Sequence, residues 1–429
     1  MSRGARSPLT VKLGINLNGK PLLTSKCKKT ILFLVPIFAS VIVNITVGCC
    51  TSLMFFHRVD LRGDSSEAGR SVPKVLITFG VFSGLAAASC SPLMIRYGFR
   101  KVALGGSVLH ICSSVFSSLT TTADILSILF GIMRGFAVGL LRTIGVVATV
   151  DHLYTRPALA LLISHTSFTV GNIIGITAIV VGFSHGWDLS HTMRAFEISA
   201  VIGLVAGSFL QKNSQTQQNA SKLFKHPKFY YLLSIRLAAS VGLSISMIVI
   251  RINNWSIVTQ FVVLVILVII RNFQREKLNK SALLSMGISV LALGVVTMAI
   301  RGALAVSFLL GAATAFSQIM LPLALVNTTG RSNLKLALPV LGCFEEMGGN
   351  ISSLLLAQYG RIPCQPDEEN LYWYEGDVLL IIAGVGAVIL FVMMKRWTPL
   401  SNTSGEEDGV EETDDHVDKA EDYMQDPSN

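Results

Sequence analysis

The sequence predicts an all-α polytopic membrane protein, with twelve transmembrane helices in two six-helix halves. Three observations lead there: a shortage of charge, a series of apolar runs of membrane-crossing length, and positive charge that alternates from loop to loop. Of the 429 residues, 51% are hydrophobic and 14% charged, whereas a water-soluble domain carries about a quarter charged. With so few charges, most of the surface must face something other than water. The mean hydropathy of +0.59 agrees. About 20 residues at 1.5 Å each cross a hydrocarbon core of about 30 Å. In lipid only helices and closed barrels satisfy their own backbone, and these runs are too long and continuous for barrel strands.

The predicted spans are 30–56, 73–94, 102–119, 123–149, 158–182, 192–211, 228–250, 255–271, 281–300, 302–326, 335–358 and 377–395. The seventh and eighth are parted only by Arg251-Ile252-Asn253-Asn254, the weakest boundary. Residues 1–29 are a basic tail too long for a signal-peptide leader, so the first apolar run reads as a retained helix. The polar break 212–227 is the longest inside the chain and divides it into halves of 30–211 and 228–395. Residues 396–429 form an acidic tail that reads as disordered.

Charge fixes the expected orientation. Residues 401–429 hold eleven acids and one lysine, out of 26 acidic and 35 basic residues in all. Residues 1–400 therefore carry 34 basic and 15 acidic residues, a net of +19. The positive charge collects in alternate loops, with Arg96, Arg100 and Lys101, then Arg156, then Lys212, Lys222 and Lys225, then Arg275, Lys277 and Lys280, then Arg331. That phase places both termini in the cytosol. Anionic lipid headgroups account for the basic loops better than nucleic acid does. Most of the seven cysteines fall within spans and read as small apolar residues; Cys364 alone lies in an expected outer loop, so no structural disulfide is expected there.

Two breaks carry a recognisable pattern. After the second span runs Ser91-Pro92-Leu93-Met94-Ile95-Arg96-Tyr97-Gly98-Phe99-Arg100-Lys101, followed by Gly105-Gly106. A tight turn between two helices favours glycine at Gly98, where φ can be positive. After the fourth span stands His152-Leu153-Tyr154-Thr155-Arg156-Pro157-Ala158-Leu159-Ala160. Together these resemble the signatures of the major facilitator superfamily, and more narrowly its monocarboxylate transporter branch. Leu223 to Phe229, Gly311 and Gly330-Arg331 resemble that branch in the second half. The resemblance implies alternating access, with Arg96, Gly98, Arg100 and Arg156 in cytosolic gating turns and the first, fourth, seventh and tenth helices lining a central cavity. The chain departs from the branch at the start of the first helix, where Lys26-Cys27-Lys28-Lys29-Thr30 replaces its acidic, glycine and tryptophan signature. The lysine the branch carries near the outer end of that helix is also missing, with only His57 or Arg58 as substitutes. It departs again in the eighth span, since 255–270 has no ionisable residue.

An ionisable side chain at mid-membrane costs at least about 2.5–3.5 kcal/mol, so it is usually paired or faces a wet cavity. Arg134, Arg142 and Arg236 are the candidate substrate-binding residues, because a guanidinium fork matches the two oxygens of a carboxylate. The alternative is that these arginines pair with Glu345 or Glu346 and lock the bundle. Glu345 and Glu346, near the middle of the eleventh span, are candidates for proton coupling or charge pairing, and point about 100° apart. Glu197 lies in the outer third of the sixth span. His110 and His165 read as packed histidines on apolar helices.

No phosphate-cradling loop, metal cluster or Ser/His/Asp set stands out, so neither an enzyme nor a cofactor is expected. Three functions follow. The first is a plasma-membrane transporter or facilitator of a small organic anion, a monocarboxylate for preference, with a proton as candidate coupling ion. The second is pH-independent passage of a neutral or zwitterionic solute such as an aromatic amino acid, which the missing eighth-span charges favour. The third is a non-transporting receptor or scaffold. A single-span accessory protein is a further candidate partner beside the lipid bilayer.

Overall fold

The computed structural model describes residues 25–60, 68–119, 127–154, 156–187, 189–211, 227–249, 254–273, 286–293, 303–329 and 334–359, with isolated helical positions elsewhere. The expectations for the basic tail, the inter-half loop, Cys364 and the acidic tail lie outside these residues. Among the described residues every regular element is helical.

Ten α-helices follow the predicted spans within a few residues: α1 (Ser25–Asp60), α2 (Ala68–Tyr97), α3 (Phe99–Ser118), α4 (Gly135–His152), α5 (Pro157–Ser184), α6 (Leu189–Gly207), α7 (Pro227–Val249), α8 (Asn254–Phe273), α9 (Ala303–Thr329) and α10 (Leu334–Tyr359). A π-helical segment, Ser127–Arg134, leads into α4. At the weakest expected boundary α7 ends at Val249 and α8 starts at Asn254, and residues 250–253 lie outside the described ones. Of the ninth predicted span, 286–293 is helical. Most of the twelfth lies outside the described residues.

Lipid, rather than water, explains which residues point outward. Phe38 and Ile198 are 62% and 66% exposed, and Leu85, Val205 and Tyr231 are also exposed, while Val43, Phe130, Ile144, Leu161, Leu232 and Leu321 are buried. Large apolar residues on both sides of a helix are what a spanning bundle requires. Among the described residues five helices are long and apolar enough to cross a membrane by length and composition, including Phe33–Ser52, Ile128–His152 and Val306–Leu325.

Helices α1 to α6 pack on one another, with α1 against α5, α2 against α4 and α3 against α6. In the second half α7 packs on α10 and α8 on α9. The halves meet where α10 lies against α2 and where α8 and α9 lie against α5. Without a hydrophobic force between helices in lipid, close approach depends on small residues. A Cβ on Gly48 would come within 2.9 Å of the Asn172 amide and 3.0 Å of the Gly171 Cα, and one on Gly171 would lie 2.8 Å from the Ile45 carbonyl carbon. Those obstacles are backbone and cannot rotate aside. Gly171→Val is therefore expected to force α1 and α5 apart at a cost of at least about 1–3 kcal/mol, read as a lower unfolding temperature of the detergent-purified protein. The turn between α2 and α3 has the predicted glycine, with Gly98 at φ +82°. Arg96, Arg100 and Arg156 are exposed beside these turns, and the Arg96 guanidinium lies over the Tyr97 ring.

Candidate solute site

Helix α4 presents three different faces, and which residues reach the centre follows from its register. Gly135 and Gly139, with Gly131 of the preceding π-helical segment, press against Phe79, Ser83 and Thr78 of α2. Leu141 and Gly145, a turn apart, meet Gly106 of α3 and Asn44 of α1. Gly139, Arg142, Thr143, Val146 and Val147 form the face that lines a cavity between the halves. The cavity holds about 50 Å³ and is completed by residues of α2, α5, α7, α9 and α10. The fourth, seventh and tenth spans line it as expected. Among the described residues the first contributes none of the lining, and α10 contributes the most from the second half.

Four charged side chains meet there. The Arg142 guanidinium donates to Glu346 Oε1 at 2.6 Å and to Glu345 Oε1 at 2.9 Å. The second oxygen of Glu345 pairs with Arg236. Arg236 also donates to the Ser317 carbonyl at 3.0 Å and to its hydroxyl at 2.8 Å. Arg142 stacks on the Phe168 ring, 4.8 Å from its centroid. Glu345 thus joins an arginine of the first half to one of the second, while Glu346 holds a single ion pair among the described residues. Both carboxylates line the cavity, which resolves their expected division of labour differently from one facing in and one facing away. Two positive and two negative groups leave this centre with no net charge.

Arg134 is elsewhere. It is fully buried in the interior of the first half, its guanidinium stacked on Phe130 at 4.7 Å. None of its side-chain nitrogens has a hydrogen-bond partner among the described residues. Its electrostatic neighbours are Cys50 of α1 and Glu197 of α6, and His110 of α3 senses its charge. Eight residues separate Arg134 from Arg142, which turns the two about 80° apart on a helix. That offset sends Arg134 towards α1 and α3 and Arg142 towards the opposite half. His110 is buried as expected, 2.9 Å from the Cys50 sulfur.

Three features in the cavity and around it have no sequence signal of their own. His165, on α5, lines the cavity instead of merely packing. Gln260 of α8, in the span without ionisable residues, donates to Gln318 of α9 at 2.8 Å. Asp151, at the end of α4, pairs with Lys335, at the start of α10, and both are nearly buried. This pair joins the halves about two and a half to three helical turns from the central cluster, on the side of the α4 C-terminus. Among the described residues no group of three or more His, Cys, Asp or Glu side chains is placed to hold a metal ion.

No family model matches the chain in sequence, and no curated protein does so either. In structure it is similar to three solved transporter structures. The major facilitator superfamily proton:xylose symporter XylE bound to 6-bromo-6-deoxy-D-glucose matches at a TM-score of 0.58 and 13% identity, over 86% of this chain and 96% of that one. The major facilitator transporter FucP in the outward conformation matches at 0.61 and 11%, over 84% and 99%. A single-site variant of the E. coli fucose:proton symporter FucP matches at 0.63 and 11%, over 84% and 98%. At these identities the likeness is one of fold: the chain has the major facilitator fold of a multi-pass membrane protein.

Proposed function

We propose that this chain is a secondary transporter that moves a small organic anion, a monocarboxylate for preference, by alternating access, with a proton bound in the same cycle. The supporting observation is the shared clamp of Arg142 on Glu345 and Glu346. With all four charges paired, the centre offers no net attraction to an anion. A proton on Glu346, which has one ion pair where Glu345 has two, releases one arm of Arg142 and leaves the centre with one positive charge. A guanidinium freed in this way matches a carboxylate bidentately. Glu345 and Arg236 stay paired and keep the two halves in register during that exchange.

Alternating access needs contacts that close one end while the other opens. The Asp151–Lys335 pair supports this, because it ties α4 to α10 on the side that the loop charges assign to the cytosol. The setting that fits these features is the plasma membrane with both termini cytosolic. A second reading, of a neutral or zwitterionic solute, draws support from the same zero net charge, since an arginine and a carboxylate side by side match the two ends of an amino acid.

Uptake of a panel of short carboxylates and of aromatic amino acids into cells of low background separates these readings. Carboxylate uptake is expected to rise as the outside is acidified, because protonation precedes anion binding. Glu346→Gln, which imitates the protonated state, is expected to keep binding the acid while losing the dependence on outside pH. Uptake by the wild type that is the same at acid and neutral pH would sink the proton-coupled reading and leave the second. A surface-expressed chain that takes up neither class would point to the receptor or scaffold.

A further inference from the structure

The cavity's charged groups are already bound to one another, which makes its uncommitted polar groups informative. Arg142 serves two carboxylates, Arg236 serves Glu345 and Ser317, and both oxygens of Glu345 are engaged. The imidazole of His165 and the hydroxyl of Thr143 line the same space, and neither is hydrogen-bonded to any described residue. Both come from the first half, on α5 and α4. His165 is only 7% exposed and lies within electrostatic reach of Glu345, Arg142 and Arg236. Its place at the wall is set by backbone packing: Gly171 and Gly175, six and ten residues further along α5, fix that helix closely against Cys49 and Ser52 of α1.

We infer that His165, assisted by Thr143, is a specificity-determining residue that takes a neutral hydrogen-bonding substituent of the solute while Arg142 takes its charged end. A neutral imidazole offers one donor and one acceptor, and a threonine hydroxyl offers both. Such a wall matches a hydroxyl, keto or amide group, not a second charge, and a bare alkyl chain leaves these buried groups without partners. Sites built to hydrogen-bond a substituent discriminate against the analogue that lacks it for that reason. The inference rests on the transport reading above and adds to it which part of the solute each half reads.

The test compares two probes of equal carbon length, propionate and 2-hydroxypropionate, each supplied as labelled solute at saturating proton concentration. One net hydrogen bond corresponds to about a fivefold lower KM for the hydroxylated acid in the wild type. In His165→Leu the ratio of the two KM values is expected to fall to about one, and in His165→Asn, which keeps a donor and an acceptor, to recover in part. Thr143→Val, an isosteric change, gives a second and independent narrowing of the same ratio. An unchanged ratio in His165→Leu and Thr143→Val overturns the assignment while leaving the transport reading in place. So does equal slowing of both acids with no recovery in His165→Asn, the signature of a packing role. If the wild type admits neither acid, the transport reading and this inference fall together.

Discussion

Arg142→Gln is expected to lower carboxylate uptake roughly 100-fold or more in protein that reaches the cell surface. Among the described residues Arg142 is the first half's one member of the charge cluster, and it compensates Glu346 alone and Glu345 jointly with Arg236. Removing one partner from a buried ion pair costs about 3–5 kcal/mol, because the remaining charge is left without compensation. Here two adjacent carboxylates would be left with one guanidinium between them. At 1.4 kcal/mol per factor of ten, that cost corresponds to at least two orders of magnitude. Arg142→Lys is expected to recover little, since an ammonium is a single point charge and cannot bridge two carboxylates as the fork does. Initial uptake rates normalised to surface protein check this. Near-normal uptake by Arg142→Gln would remove the cluster from the transport mechanism.

The other large effect is expected at the junction of α4 and α10. Asp151 is 1% exposed and Lys335 only 5%, so neither can be rehydrated without moving helices. Asp151→Asn or Lys335→Gln leaves a buried charge without its counterpart from the other half, and separating the two helix ends becomes the cheaper arrangement. With about 3–5 kcal/mol at stake the balance between closed and open forms shifts by roughly two to three orders of magnitude. Cysteines engineered beside the α4 C-terminus are expected to become reactive to membrane-permeant thiol reagents in either single variant. The exchanged pair, Asp151→Lys with Lys335→Asp, is expected to regain protection. Protection that stays the same in the single variants would show that this contact does not hold the halves together.

The fold was legible because hydropathy needs no knowledge of neighbours. A run of apolar residues declares a span whichever way the helix is turned. The site depends on rotation about each helix axis, and there the sequence says less. Arg134 and Arg142 have the same chemistry within one span, and the packing of Gly106, Gly145 and Asn44 on one face of α4 tells them apart. The π-helical run before Arg134 adds an offset that no composition announces. His165, like His110, is a lone histidine on an apolar helix, yet one meets the cavity and the other the Cys50 sulfur. Asp151 and Lys335 each stand at a helix end, where a charge ordinarily reaches headgroups or water. Their pairing across 184 positions exists only once the halves are assembled.

Glu345 has a mechanical consequence. It is gripped from both sides where the halves meet, so in the transport cycle proposed above the two halves would tilt about it while their ends swing through larger arcs, as the arms of a balance do about its knife-edge. In that cycle a small displacement at the solute would be magnified towards the membrane faces. The Asp151–Lys335 contact is then a stop on one arm, and its strength sets how far the balance leans when nothing is loaded.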